Sequence, residues 1–275
     1  MPSSAAVRPD GPEPLNVPAP MPSPLPNSLP ALEERAAAGR FGWKGPVFML
    51  FARLVLALLA QALVAGLFAL RGHPSPWEAS APWFTVYGTL IDIGCLVALW
   101  RLTRREGLGL FDLVRTHPIR PGADVLLGLG YLVVYLLVGG VGGAAIGFLI
   151  YGAPPAAPMG GLPLWGALYS VLVWPVLWGF TEQLLYNGYA LPRLEVLSRR
   201  AWVPIALVVF FWTVQHVTLP LRFDAQFMLY RALSPLPAVG LMVVLFLRQR
   251  RLLPLIVAHM LVDALSALSG FLAQG

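Results

Sequence analysis

From residue 46 to residue 272 the chain alternates long apolar runs with short polar punctuation. Seven runs reach the length of a membrane span, at roughly 46–70, 82–102, 123–151, 163–190, 202–220, 227–247 and 252–272. A hydrocarbon core of about 30 Å takes about 20 helical residues. None of the runs shows the ten-residue alternation of a barrel strand, and lipid accepts only helices or closed barrels as spanning elements. The pattern predicts an all-α fold: a polytopic membrane helix bundle of about seven transmembrane helices. Ser234-Pro235-Leu236-Pro237 interrupts the sixth run, which predicts a kink or a partly re-entrant piece there. In the third run Gly139, Gly143 and Gly147 recur every four residues, a small-residue face that lets a neighbouring helix approach closely. The inverted repeat that many transporters carry is not seen in the sequence.

Composition agrees with lipid as the solvent. The 275 residues are 57% hydrophobic and only 12% charged, against about 25% charged in soluble domains, and the mean hydropathy is +0.71. The net charge of +6 does not point to nucleic acid, because the arginines lie in short loops between apolar runs. Arg35, Arg40 and Lys44 precede the first run. Arg101, Arg104, Arg105, Arg115 and Arg120 lie between the second and third, Arg193, Arg199 and Arg200 follow the fourth, and Arg248, Arg250 and Arg251 follow the sixth. This is the positive-inside pattern, and it predicts a cytoplasmic N-terminus and an outer C-terminus. The 18 arginines against one lysine suit a GC-rich bacterial genome and hence a bacterial inner or plasma membrane. The single cysteine, Cys95, excludes an internal disulfide and reads as a small buried hydrophobe. Three regions are predicted: a disordered, Pro-rich cytoplasmic tail over 1–40, N-terminal transmembrane helices over 41–155, and a helical core over 156–275. Ten prolines fall within residues 1–30, and no basic segment followed by an apolar one marks a signal peptide. Within the tail, residues 31–44 have the makings of a short surface helix ending in an interfacial anchor of Phe41, Trp43 and Lys44.

Four ionisable side chains interrupt the apolar pattern near the C-terminus: Glu182, His216, His259 and Asp263. A charge at the bilayer centre costs about 2.5–3.5 kcal/mol on insertion scales, and such groups lower the cost by facing inward and pairing. Taken singly, each has an ordinary explanation. Glu182 at a helix end can snorkel, and His216 can sit at the interface. His259 and Asp263, four residues apart on one helix face inside an apolar run, fit an oriented imidazole better. Gln183 and Asn187 share a face in the same way and are placed to hydrogen-bond. Trp212 and His216 repeat the spacing. Two further charges lie in earlier runs. Arg53 is close enough to a span end to snorkel, whereas Asp92 is mid-span, as either a satisfied buried carboxyl or a substrate contact.

Taken in order, Glu182-Gln183-Leu-Leu-Tyr-Asn187, Trp212-Thr-Val-Gln-His216 and His259-Met-Leu-Val-Asp263 resemble the motifs of the CPBP family of intramembrane proteases (CAAX proteases, bacteriocin-processing and Abi proteins). Those motifs read Glu-Glu-x-x-x-Arg, Phe-x-x-x-His and His-x-x-x-Asn or Asp on successive helices. The likeness covers about 160–272, and Gly188 with Leu191-Pro192-Arg193-Leu194 looks like the family's usual continuation. The chain departs from the pattern at Gln183 and Asn187, where a charged pair becomes a neutral one, and at Trp212.

The resemblance implies an endopeptidase that hydrolyses membrane-associated or lipid-modified peptides and proteins with activated water. In it Glu182 is the general base, Glu182 and His216 hold the water, and His259 with Asp263 stabilises the oxyanion, with Gln183, Asn187 and Trp212 in support. No cofactor is required on this route. A zinc ion held by Glu182, His216, His259 and Asp263 is the alternative, although no His-Glu-x-x-His helix is present. The implied partners are membrane lipid and a peptide or protein substrate, with no nucleic acid. The neutral pair at 183 and 187 also allows a catalytically inactive membrane scaffold or bacteriocin self-immunity protein, and the buried polar cluster allows a transporter.

Overall fold

The computed structural model of the chain describes residues 24–153 and 161–272. Among the described residues every regular element is helical: α1 (Leu29–Ala37), α2 (Lys44–Leu70), α3 (Pro76–Arg105), α4 (Pro121–Tyr151), α5 (Leu164–Ser198), α6 (Trp202–Thr218), α7 (Ala225–Gln249) and α8 (Leu252–Leu272). Six of them, α2 to α5 with α7 and α8, are long and apolar enough to cross a membrane. The predicted polytopic bundle is therefore present, with six such helices where seven were expected.

The fifth run is the difference. It forms α6, an apolar helix that stays below spanning length. Its last four residues, Gln215–Thr218, tighten into a 3-10 turn, and Pro220 follows, which cannot donate to a continuing helix. Arg231 of α7 holds the end in place, with Nε on the carbonyl of His216 at 3.1 Å and Nη2 on that of Leu219 at 2.5 Å. Gln61 of α2 pairs both ways with the backbone of Leu221, at 2.9 and 2.8 Å.

The apolar faces divide as lipid and core require. Along α2, Phe48, Phe51, Val55, Leu59, Leu63 and Leu67 are exposed in steps of three and four, while Met49, Ala52, Arg53, Ala57, Ala60 and Gln61 turn inward. An exposed stripe of this kind needs lipid around it. The α7 run does break, at Ser234 and Pro235 between the helical pieces Ala225–Leu233 and Leu236–Gln249. The glycine face of α4 docks on that break. A Cβ at Gly139 would lie 2.9 Å from Ala238 Cβ, and one at Gly143 would lie 3.3 Å from the Ser234 carbonyl.

Helix α8 packs along α4 and α5, and α3 bridges α2 and α5. The α5–α8 contact is tight at the point that matters below: a Cβ on Gly179 would meet the Met260 backbone nitrogen at 2.9 Å. Gly179→Val is expected to push the two helices apart and to cost about 1–3 kcal/mol, the usual range for overpacking. Unfolding by SDS in mixed micelles measures it.

Two stretches widen to π-helix, Leu136–Gly140 and Leu184–Ala190. The second begins directly after Gln183, and all seven of its residues are buried. Such bulges recur at functional sites. Here the wider turn carries α5 through Gly188 and on to Pro192 as one helical stretch.

The far end of α5 is fixed by a buried ion pair. Arg193 places Nε 3.0 Å from both carboxylate oxygens of Glu106 and Nη2 2.5 Å from Oε2. Its Nη1 reaches Asn27 Oδ1 at 3.3 Å and the Tyr189 carbonyl at 3.2 Å, and its guanidinium stacks over the Tyr189 ring at 4.1 Å. Asn27 in turn donates to the carbonyls of Leu113 and Gly188, at 2.9 and 2.8 Å. Residues 1–23 of the predicted tail lie outside the described residues. From Asn27 onward the chain is packed against α5 and helical over Leu29–Ala37, so the disorder expected through residue 40 does not extend over this part. The Asn27 carboxamide, the Arg35 contact to the Pro26 carbonyl and the buried Ala31 and Leu32 together hold it there.

Candidate active site

Glu182 sits in the last turn of regular α-helix before the π stretch of α5 and is fully buried. Three donors from two other helices converge on its carboxylate. Trp212 Nε1 of α6 donates to Oε2 at 2.6 Å and Gln215 Nε2 to Oε1 at 2.8 Å. Arg53 Nε of α2 lies 3.2 Å from Oε1. Tyr186 fixes two of these partners at once: its hydroxyl donates to Gln215 Oε1 at 2.8 Å, and its ring stacks on Trp212 with centroids 4.7 Å apart. An ionised carboxylate has about four lone-pair positions. Trp212 and Gln215 take two of them by hydrogen bonds, while Arg53 Nε makes an ion-pair contact outside hydrogen-bond geometry.

His259 of α8 faces the same carboxylate. Its Nε2 is 3.7 Å from Glu182 Oε2 and 3.6 Å from Asp263 Oδ2. Asp263 Oδ2 has no hydrogen-bond partner among the described residues and is turned toward the imidazole. The other ring nitrogen is held by the neutral amide pair. Asn187 Nδ2 donates to Gln183 Oε1 at 2.8 Å, and Gln183 Nε2 lies 3.2 Å from His259 Nδ1. Because Gln183 spends its oxygen on Asn187, it offers an N–H to Nδ1. That ring nitrogen must then accept, and the neutral imidazole carries its proton on Nε2, toward the two carboxylates. Gln183→Leu is expected to orphan Asn187 and His259 Nδ1 at about 1–3 kcal/mol per buried group and to release the tautomer. Nitrogen NMR of the labelled imidazole reads the tautomer directly.

His216 has the opposite polarity. Its Nδ1 is 2.9 Å from the Trp212 carbonyl and 3.2 Å from that of Thr213. Carbonyls only accept, so Nδ1 carries the proton and Nε2 presents a lone pair. No ion-pair contact within 4.0 Å joins His216 to Glu182 among the described residues. The residue that reaches Glu182 from this turn is its neighbour Gln215.

The predicted residues thus divide. Glu182, His259 and Asp263 come together, with Gln183, Asn187 and Trp212 around them, while His216 stands one residue off the contact. One expectation about the earlier charges is corrected. Arg53 does not snorkel: it is fully buried, and its Nη1 is 2.7 Å from Asp92 Oδ1. Of the two alternatives for Asp92, its pairing with Arg53 is that of a buried, partnered carboxyl. Sequence reasoning passed over Gln215 and Tyr186. Gln215 lies between two motif residues, but only its place in the short 3-10 turn aims it inward.

No group of three or more His, Cys, Asp or Glu side chains able to hold a metal occurs among the described residues. An indole N–H and an amide take lone pairs of Glu182, and Arg53 lies against the same carboxylate.

Fold and site together define a polytopic helical membrane protein with a buried carboxylate–imidazole centre. Residues 163–265 match the family described as type II CAAX prenyl endopeptidase Rce1-like, a match consistent with the CPBP/CAAX proteases. No curated protein and no solved structure matches the chain. The matched segment contains Glu182, His216, His259 and Asp263, and it excludes Arg53 and Asp92.

Proposed function

We propose that the chain is an intramembrane endopeptidase that hydrolyses membrane-associated or lipid-modified peptides and proteins with water activated at Glu182. The observation that carries this is the approach of Glu182 Oε2 to His259 Nε2, 3.7 Å. That is too long for a direct hydrogen bond and short enough for one reacting oxygen to lie beside both groups. A water taking a free lone pair of Glu182 gives up its proton to the carboxylate and attacks the scissile carbonyl carbon. The Nε2–H of His259 donates to the oxygen that becomes negative, a contribution of about 2.7–4 kcal/mol for a single such donor. Glu182 then passes its proton to the amide nitrogen as the C–N bond breaks. The lone pair on His216 Nε2 can accept from the same water, and Asp263 holds the imidazole from the side of α8. In this scheme the arginine-rich loops and the N-terminus are cytoplasmic, the membrane is a bacterial inner membrane, and substrate enters laterally from lipid or from the cytoplasmic face.

The scheme needs no cofactor. Activity is expected to survive exhaustive dialysis against a membrane-permeant chelator; loss that zinc restores would reverse that assignment. The direct test offers the purified full-length protein, in lipid vesicles, a set of peptides ending in Cys-aliphatic-aliphatic-X, farnesylated or unmodified. Cleavage by the wild type and none by Glu182→Gln is expected. Equal inertness of both folded proteins would count against a peptidase.

A second assignment, a membrane scaffold or immunity protein without catalysis, is favoured by one observation: the Glu182 carboxylate is fully buried, accepts two hydrogen bonds and is ion-paired with Arg53. Under it Glu182→Ala protects or binds as well as the wild type.

A further inference from the structure

The cation at Glu182 comes from outside the matched segment. Gln183 and Asn187 are the polar neighbours of Glu182 on α5, and both are neutral, so α5 brings no positive charge to the carboxylate. Arg53 of α2 does. It is held from three directions: Nη1 on Asp92 Oδ1 at 2.7 Å, Nε against Glu182 Oε1 at 3.2 Å, and the guanidinium plane over the Trp178 ring at 4.1 Å. Asp92 is 1% exposed and Arg53 0%. Arginine stays charged in proteins, and its planar fork spans two carboxylates where a lysine offers one point charge. Trp178 lies one turn before Glu182 on α5, so the stack ties the plane of the guanidinium to the helix that carries the carboxylate.

We propose, building on the peptidase assignment above, that Arg53 is the positioning residue of this site: it keeps Glu182 as an oriented carboxylate, with Asp92 and Trp178 fixing the guanidinium in turn. A carboxylate buried without a cation neutralises itself by taking up a proton, and a protonated Glu182 cannot accept one from water. Helices α2 and α3 are then part of the active centre, and residues 163–265 alone do not complete it. The other ionisable groups around Glu182 are His259 and Asp263 on α8, His216 on α6, Tyr186 on α5, Asp92 on α3 and, farther off, Arg231 on α7. Among the described residues Arg53 is the one permanent cation within 4.0 Å of its carboxylate.

The test uses the full-length protein in lipid vesicles with Arg53→Lys, Arg53→Met and Asp92→Asn. Infrared difference spectra between each protein and its Glu182→Gln counterpart isolate the Glu182 band without any substrate. A carboxylate band is expected in the wild type, a protonated carbonyl band in Arg53→Met, and a displaced carboxylate band in Arg53→Lys. On a peptide that the wild type cleaves, Arg53→Lys is expected to lower kcat by about 10–100-fold, as for a misplacement near 1 Å, with KM within about threefold. Asp92→Asn keeps the Arg53–Glu182 contact and is expected to lose less. If Arg53→Met fails to fold, Arg53→Lys and Asp92→Asn carry the comparison. An unchanged Glu182 band across the variants, or kcat within twofold of wild type in Arg53→Lys, overturns the positioning role and leaves the peptidase assignment standing. Peptides left intact by wild type and Glu182→Gln alike overturn both.

Discussion

Glu182→Gln is expected to lower kcat by about 10²–10⁴, the range for loss of a positioned general base, and to leave the bundle folded. Both halves follow from the geometry. The amide cannot take a proton from water, so the first step stops. The fold survives because the charge left behind is not alone: Arg53 keeps Asp92 at 2.7 Å, and the Gln oxygen can still accept from Trp212 Nε1. The variant therefore separates chemistry from stability, which Glu182→Ala does less cleanly because it also leaves Trp212 and Gln215 without an acceptor. Turnover, together with unfolding by SDS in mixed micelles, reads the two halves. A large loss of stability with the loss of turnover would show that Glu182 holds the bundle together rather than working in it.

The largest effect on stability is expected at the other end of α5. Arg193→Met removes one member of a buried pair and leaves Glu106, only 4% exposed, without its cation. Breaking such a pair from one side typically costs about 3–5 kcal/mol. The same change takes a donor from Asn27 and the stacked guanidinium from Tyr189, so α1 should loosen with it. The double variant Arg193→Met, Glu106→Leu leaves no bare charge and should recover much of the loss, since replacing both partners by apolar groups is often close to neutral. Equal instability of the single and double variants would place the stability in packing and not in the ion pair. SDS unfolding midpoints, with proteolysis of residues before Leu29 as a local probe, decide between them.

What the sequence disclosed depended on how local the signal was. The long helices were legible because an apolar run of spanning length has few other uses. The pairs His259–Asp263 and Gln183–Asn187 were legible because one helical turn brings them together whatever surrounds them. α6 was misjudged: its composition qualifies as a span, and only the 3-10 ending and the Arg231 contacts cut it short. Arg53 was misjudged for a related reason. Whether an arginine near a helix end snorkels or turns inward is decided by its partner, and Asp92 is 39 residues away on another helix. A signal did exist in two opposite charges, each costly in lipid, on consecutive apolar helices. Gln215 had no such signal, since a glutamine beside a histidine is unremarkable until the turn that aims it is seen. The short helix expected over 31–44 is present at Leu29–Ala37, but its docking through Asn27 had no sequence signal within the proline-rich region.

The account rests on Glu182 and His259 forming a working hydrolytic centre inside the membrane. The most direct measurement compares newly formed protein N-termini in cells that carry the wild type, Glu182→Gln or His259→Ala at matched membrane levels. A shared set of cleaved membrane or lipid-modified proteins, present with the wild type and missing with both variants, is the expected result. Identical N-termini in all three would contradict the account, because a centre whose acid and imidazole can both be removed without consequence performs no proteolysis.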